Sequence, residues 1–446
     1  MNKYSTHTQF PDIWISKIPA HWQAHKMKHL FSERSEKGYP NEPLLVASQN
    51  MGVVPKNVYG SRTVEAQKDL HLLKLVRVGD FVISLRSFQG GLEYAYYQGI
   101  ISPAYTVLIP HEPMLGSYFR YLAKSKPFIG LLTLCVTGIR EGQNIDYTKL
   151  KNHHLPVPPR SEQDQIVRFL DWKVSSINKL INIKKKEIKA IDALKRSIIS
   201  HVITHGLMPD VPMKYSGVKW LGDIPAHWQT IKLKRVTKVR NEKGIYTPNS
   251  EDKYIGLENI KGYSNNISIT SSEHDVSVQC ICHSGDLMFS KLRPYLAKTV
   301  IVPYNCFCTG EMMVISAFNG DMRFLRYVML HERFIDSVNS STYGAKMPRA
   351  NSSYILNMQV PIPQVDEQQK IADYIDEKVL QIDMATKKYE QIIDDLQVLK
   401  TRLISDVVTG KIDVRDIEVP KYEFVDEDTD TENEDDSEEE TDEQED

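Results

Sequence analysis

The chain has 446 residues, enough for two or three domains rather than one compact core. Its 41% hydrophobic and 25% charged content is that of an ordinary globular protein, and no run of about 18 apolar residues occurs, which excludes a helical membrane protein. The formal net charge of −3 hides a division: residues 413–446 hold 19 acidic residues and two basic ones, Arg415 and Lys421, leaving 53 basic against 39 acidic and a net +14 over residues 1–412. Such a surplus suits a polyanionic partner, although a distributed positive surface also occurs on proteins that never meet nucleic acid. The first residues, MNKYSTHTQFPDIW, contain no apolar stretch for a signal-peptide core, so a cytoplasmic, reducing location is expected.

Along the chain, WISKIPAHW at 14–22 and KMKHL at 26–30 open a first module. The β-rich runs LVRVGDFVISL and AYTVLIP follow, then the helical run GSYFRYLAKS, and LPVPP at 155–159 stops the module in an extended connection. Ser161 is the expected N-cap of a helix of about 44 residues that ends at Gly206. The same order then returns. WLGDIPAHW at 220–228 repeats the opening at an offset of 206, GDLMFSKLR at 285–293 repeats GDFVISLR at 79–86 with one insertion, and VPIPQVDEQQKIADYID at 360–376 repeats LPVPPRSEQDQIVRFLD at 155–171 at an offset of 205. Between these anchors, 31–75 differs greatly from 237–281, and 87–100 from 294–307. A shared frame is expected to carry unlike inserts.

The second long helix, with Asp366 as expected N-cap and Gly410 at its end, has a narrow apolar stripe through Ile375, Val379, Ile382, Tyr389, Ile393, Leu396, Leu403 and Val407. The stripe is interrupted at Thr386 and Lys400; shifted by 205, it falls on Leu170, Val174, Ile177, Ile181, Ile188, Ile191, Ile198 and Val202 of the first helix, interrupted at Lys184 and Lys195. Matched seams at this period suit mutual pairing as a coiled coil, the alternative being two helices each packed on its own module.

Signatures of catalysis are missing. No G-x-x-x-x-G-K-[ST] loop, no G-x-G-x-x-G after a strand and no [DNS]-P-P-[YFW] tetrapeptide of an amino-methyltransferase is present. The paired cysteines Cys280, Cys282, Cys306 and Cys308 have the ligand types of a four-thiolate zinc site, but they lie in β-like apolar text, where small buried side chains are the plainer reading. Cys135 stands alone, and His201 and His205, one helical turn apart, lack a third ligand. Text suited to binding is richer. Residues 84–99 join Arg86 and Gln89 to a Gly pair and several tyrosines, and residues 290–298 hold Lys291, Arg293, Tyr295 and Lys298. Near the module ends, 137–144 holds Arg140, Gln143 and Asn144, and 342–351 holds Lys346 and Arg349. These are the side chains that read base edges or pin phosphates, and any one stretch alone also fits a solvated loop.

The IPAHW segments, the GDxxxS(K)LR segments, the P-x-P…EQ-x-x-I helix entries with Glu162-Gln163 and Glu367-Gln368, and the glycine helix exits together resemble the specificity subunit of type I restriction-modification systems over residues 10–415. The resemblance implies an α+β chain with two tandem mixed α/β target-recognition domains, at 1–159 and 207–364, separated by two long antiparallel helices at 160–206 and 365–411 that form a coiled coil. A disordered acidic tail, 412–446, completes it; its role is open between DNA mimicry and solubility. It also implies a non-catalytic reader of double-stranded DNA that binds no cofactor itself. Two modification subunits carrying S-adenosylmethionine and motor-nuclease restriction subunits using ATP and Mg would dock on the helical regions, represented by Glu162, Gln163, Leu170, Ile177, Glu367, Gln368, Ile375 and Ile382. Because the inserts differ, the two half-sites are expected to differ. The competing classes are a single-chain DNA-modifying enzyme and a coiled-coil tether joining proteins.

Overall fold

The computed structural model describes residues 2–49, 51–59, 69–137, 144–247, 253–268, 276–344 and 347–427. The chain divides into two compact units, residues 1–185 with 390–446, and residues 186–389. Each unit therefore contains one module and portions of both long helices, Arg160–His205 and Val365–Val408. Among the described residues no helix is long and apolar enough to cross a membrane.

In the first unit a four-stranded antiparallel sheet runs in the order Phe31–Arg34, Thr106–Pro110, Phe81–Ile83, Glu93–Tyr94. Helices Pro113–Leu122 and Lys126–Leu134 contribute Phe119, which meets Phe81 edge to face at 4.9 Å, and Phe128, which meets Phe119 at 5.4 Å. Each such fully buried ring contributes roughly 1.5–3 kcal/mol by leaving water. Phe169, Leu170, Ile177 and Ile181 of the first long helix join the same core with Leu403, Val407 and Val408 of the second. Lys400, an interruption of the second stripe, reaches Asn178 at 3.2 Å.

The second unit repeats this plan. Its sheet order is Thr237–Val239, Met312–Phe318, Leu287–Ser290, Thr299–Ile301. Each strand starts 206 residues after its counterpart in the first unit, including the pair at 93 and 299, where the sequences are too unlike to align. Ile199 and Ile203 of the first long helix pack with Ile371 and Ile375 of the second, and Lys195 reaches Asp383 at 2.7 Å. That contact is Lys400–Asn178 again, displaced by 205. Lys195 and Lys400 are thus seam residues whose ammonium groups find polar partners on the facing helix.

The inserts are unlike, as expected. The first unit carries a hairpin, Leu45–Ser48 with Gly52–Pro55, and the pair Lys74–Val76 with Gly99–Ile101. The second carries a separate four-stranded sheet, Lys243–Tyr246, Ser277–Cys282, Cys306–Cys308 and Tyr254–Ile255, with its own apolar cluster.

Two expectations need correction. Both long helices begin one residue before the expected caps, with the Pro159 and Gln364 carbonyls accepting from the first turn, so Ser161 and Asp366 lie inside the helices. The Pro-rich connections are extended, as expected, and they also pair. They are short strands, His154–Val157 and Gln359–Ile362, paired with Gln23–Lys26 and Gln229–Lys232, an arrangement that tolerates Pro where no ladder N–H is needed. The acidic segment is not disordered from residue 412: Val414 is fully buried, Ile412, Ile417 and Val419 pack on the core, and the chain is hydrogen-bonded as far as Glu427. Apolar residues interspersed among its acids supply the surface for this packing. The rest of the acidic segment lies outside the described residues.

Candidate nucleic-acid interface

The two strongest sequence motifs prove to be halves of one contact. The Glu162 carboxylate, buried at the first turn of its helix, accepts from Trp22 Nε1 at 2.9 Å, His21 Nε2 at 2.7 Å and the Tyr4 hydroxyl. In the second unit Glu367 accepts from His227 Nε2 at 3.0 Å. Gln163 and Gln368 turn back to the Pro158 and Pro363 carbonyls at 2.8 and 2.9 Å. In both units the His of IPAHW and the Glu of the helix entry thus latch module to helix; the Trp N–H joins the latch only in the first, Trp228 Nε1 being buried without a hydrogen-bond partner among the described residues. With Leu170, Ile177 and Ile375 also buried and Ile382 half-buried, these side chains are used within their units.

A second latch recurs under each sheet. Arg34 donates to Asp80 through Nε at 2.8 Å and Nη2 at 3.2 Å, and Arg240 to Asp286 at 2.7 and 3.2 Å. The bidentate carboxylate holds Arg34 firmly charged, its pKa raised chiefly by the hydrogen bond to Asp80 against the opposing effect of burial. Asp80 and Asp286 also accept from the backbone N–H groups of Arg77 and His283, each at 2.8 Å, closing turns in which Gly79 and Gly285 take φ of 94° and 91°. The Gly-Asp of each GDxxxS motif is therefore a turn locked to an arginine.

These turns aim the strands whose far ends carry the candidate binding loops. In the first unit, strand Phe81–Ile83 leads into a short helix, Ser87–Gly90, that leaves Arg86 and Gln89 exposed. A Cβ at Gly91 would stand 2.1 Å from the Ala123 carbonyl, so the loop lies against backbone where only glycine fits. Lys124 gathers the neighbourhood, donating to Gln49 O at 3.1 Å, Gly90 O at 3.0 Å and the buried Glu93 carboxylate at 2.7 Å. Burial pushes Glu93 up to about 7 even against the pull of Lys124. Gln49 in turn donates to Arg86 O at 3.3 Å, and Tyr96 and Tyr97 are exposed at the end of the segment.

In the second unit the two candidate stretches are brought together. Arg293 N donates to Pro348 O and Ala350 N to Lys291 O, both at 2.8 Å. Arg293 and Ala297 bracket the turn Pro294–Leu296 in left-handed conformations, φ 47° and 49°, a strain of order 1–3 kcal/mol per residue that the surrounding hydrogen bonds impose. Tyr295 is exposed at its tip. The other cations are engaged locally: Lys291 Nζ on Gly310 O at 2.7 Å, Lys298 Nζ on Leu257 O at 3.0 Å, and Arg349 on Glu311.

The comparisons with known proteins agree with this frame. A family model described as "Type I restriction modification DNA specificity domain" matches residues 225–393. The type I restriction enzyme MjaVIII specificity subunit of Methanocaldococcus jannaschii is 24% identical over 359 residues, covering 77% of this chain and 81% of that protein. The MjaIX specificity subunit of the same organism is 22% identical, covering 94% and 99%. A chain from a structure titled as the basis of complex assembly and conformational transition of the type I R-M system shares the fold, with a TM-score of 0.63 at 13% identity, covering 89% of this chain and 99% of that one. Over residues 225–393 the chain matches that specificity-domain family, and along most of its length it is similar to type I restriction enzyme specificity subunits.

In this chain Arg140, Gln143 and Lys346 lie outside the described residues, while Asn144 is exposed on the hairpin Val136–Thr137 with Asn144–Ile145. Cys282, Cys306 and Cys308 are buried in the apolar cluster of the second insert, with Cys282 Sγ 3.3 Å from Cys308 Sγ, and Cys280 is half-buried beside them. Among the described residues no group of three or more His, Cys, Asp or Glu is arranged to hold a metal ion. His201 and His205 stack at 4.5 Å, and His153 and His154 both engage Asp12. Sequence reading missed Lys124, Glu93 and the two Arg–Asp latches. The latches had a legible signal: RSEKG at 34–38 returns as RNEKG at 240–244, at the offset of 206, inside text that otherwise looks unrelated.

Proposed function

We propose that this chain is a type I restriction-modification specificity subunit that reads a bipartite, asymmetric double-stranded DNA target through two target-recognition domains, one in each unit. The observation that carries this reading is the pairing of a frame repeated at one offset with inserts of different topology. A frame that is held constant by the same Arg–Asp and His–Glu contacts presents loops in equivalent places, while a hairpin in one unit and a four-stranded sheet in the other give those loops different surroundings. Two surfaces built this way read two different half-sites. The loops around Arg86, Gln89, Tyr96 and Tyr97, and around Arg293 and Tyr295, are the surfaces assigned to DNA, with Arg and Gln offering the donors that pair with guanine and adenine edges.

In this reading the long helices form an antiparallel coiled coil whose length sets the number of unread bases between half-sites. The chain performs no chemistry and binds no cofactor. Two modification subunits carrying S-adenosylmethionine methylate adenine, and motor-nuclease subunits using ATP and Mg join to restrict unmodified DNA. The test is to express the chain with its modification subunit and map methylated adenines by single-molecule sequencing. A two-part, non-palindromic motif is expected, and exchanging residues 220–364 for those of another specificity subunit changes one part only. A palindromic motif, or a complex that forms and methylates no motif, sinks the reading. Methyl transfer by the purified chain alone would make it an enzyme.

A further inference from the structure

The described end of the chain, residues 413–427, is a strap along the first long helix. Gln165 donates to the Val414 and Ile417 carbonyls at 3.0 and 2.6 Å. Three turns further on, Ser175 exchanges hydrogen bonds with Glu423 O and Val425 N at 3.0 and 2.8 Å. Asn178 then donates to Val425 O at 3.2 Å and Asn182 to Asp426 O at 2.9 Å, and Glu427 is taken by Lys400 and Gln397 with Lys185 at 3.7 Å. Side-chain amides and a hydroxyl reading main-chain atoms at successive turns fix the path of the strap without depending on its side chains. This arrangement is outside the repeated frame, since Ser175, Asn178 and Asn182 correspond at +205 to Leu380, Asp383 and Lys387.

The strap ends beside the candidate DNA surface of its own unit. Asp171, one turn before Ser175 on the helix that carries the strap, accepts from Arg120 Nη2 and the Tyr121 hydroxyl, both at 2.5 Å; the Arg120 guanidinium lies 6.0 Å from the Tyr94 ring, and Tyr94 meets Tyr96 edge to face at 5.0 Å, so helix, strap and segment 84–99 are joined by direct contacts. Beyond Glu427 come 19 residues with 13 carboxylates and no basic residue, while residues 1–159 carry 18 Lys and Arg against 11 Asp and Glu. Fully extended, 19 residues reach at most about 65 Å from their anchor.

We propose that the strap delivers residues 428–446 to the DNA-facing surface of the first unit, where their carboxylates compete with the phosphates of target-free DNA. Tethering converts a weak polyanion into a competitor at an effective concentration of about a millimolar. Non-specific DNA binding is largely cation–phosphate contact with counterion release, so it is the binding mode such a competitor suppresses most; base contacts at a true target add affinity that it does not mimic. The inference rests on the DNA-reading function proposed above.

The test uses the complex with the modification subunit and two variants, one ending after Glu427 and one of full length with the 13 carboxylates replaced by Gln or Asn. Affinity for a target-free duplex is measured across salt. Both variants are expected to bind about tenfold more tightly than the parent at low salt, with the gap closing as salt rises. The peptide 428–446 added in trans should reverse the gain only near millimolar concentration. Equal affinities at low salt overturn the proposal, and so does a gain on truncation that the charge-neutralised chain lacks. A Ser175→Ala/Asn182→Ala variant, which loosens the strap and keeps every charge, is expected to fall between parent and truncation; parental affinity there removes the delivery role. If adenine methylation maps to a two-part motif while the tail variants bind as the parent does, only this inference fails. If no variant binds DNA at any salt, the DNA-reading function fails with it.

Discussion

The two units share their latches and differ in how deeply those latches are buried. Arg34 is 6% exposed over an Asp80 that is 3% exposed, whereas Arg240 is 16% exposed over an equally buried Asp286. Glu162 takes three donors where Glu367 takes one, and it is 4% exposed where Glu367 is 26%. The same motif residues at the same offset thus bear unequal loads. Repetition conserves the geometry of a contact, and the surrounding insert and chain ends decide its energetic weight. In the first unit the N-terminal Tyr4 and the C-terminal strap close over the latch, which the second unit has no counterpart to supply in the same form.

The largest effect is expected where a buried charge loses its only bidentate partner. Arg34→Ala strands the Asp80 carboxylate beneath the sheet and should destabilise the first unit by about 3–5 kcal/mol, with Arg240→Ala costing clearly less because water reaches Asp286 through the more open arginine. Arg34→Lys should not rescue, since a single ammonium does not reproduce the two parallel bonds. Urea unfolding followed by hydrogen exchange in each unit checks both, and equal losses in the two units would remove the proposed difference. Next comes Glu162→Ala, which leaves a Trp22 N–H and a Tyr4 hydroxyl buried without acceptors at a cost of about 3 kcal/mol, against about 1 kcal/mol for Glu367→Ala, where the one donor is a half-exposed histidine. The same exchange measurement reads it at the N-terminal hairpin.

Much of the frame was legible because it is written in periodicity. The matched stripes placed both long helices to within a residue or two of their ends, and Gly206 and Gly410, each at φ 73°, stop them as the pattern implied. What the stripes misjudged was polarity: Lys195 and Lys400 read as interruptions, yet a long side chain lies along the seam and delivers its charge to Asp383 or Asn178. The inserts were not legible as folds. Strands of three or four residues carry too little alternation to show a register, and the equivalence of Glu93 with Thr299 is a matter of sheet position that their side chains do not record. The candidate loops were legible as places rather than as contacts: Arg86, Gln89 and Tyr295 are exposed and Arg293 is half-buried, all in Gly- and Pro-marked loops. Lys124 was not legible, since nothing in a helix-ending AKSK announces that its ammonium will pin two other loops.

That pin makes a pH-dependent difference between the units. Glu93 ordinarily titrates near 4.5, and burial raises it to about 7 in the folded protein. Between those values the folded chain holds a proton that the unfolded chain has released, so the stabilisation is complete below about 4.5 and lost as pH rises through about 7. Glu93→Gln should flatten the stability–pH profile of the first unit over this window and leave the second unit, with Thr299 in that place, unchanged. An unaltered slope would show that Lys124 keeps Glu93 ionised throughout.

The smallest effect on stability, and the one that separates reading from holding, is expected at the exposed loops. Arg86→Ala and Arg293→Ala should each leave unfolding within about 0.5 kcal/mol of the parent, because neither side chain is committed to the core. Relief of the left-handed strain at Arg293 is better tested by Arg293→Gly, which should stabilise the turn. If these arginines pair with guanine edges, each substitution costs about 1–3 kcal/mol of discrimination at one position of one half-site, and methylation mapping should show that position degenerate while the other half-site is untouched. If they pin phosphates instead, affinity falls evenly over all sequences and the salt dependence shallows by about one ion. A loss spread over both half-sites fits neither role. It would mean that the loops act through the frame, and the separation between a shared scaffold and private reading surfaces would have to be abandoned.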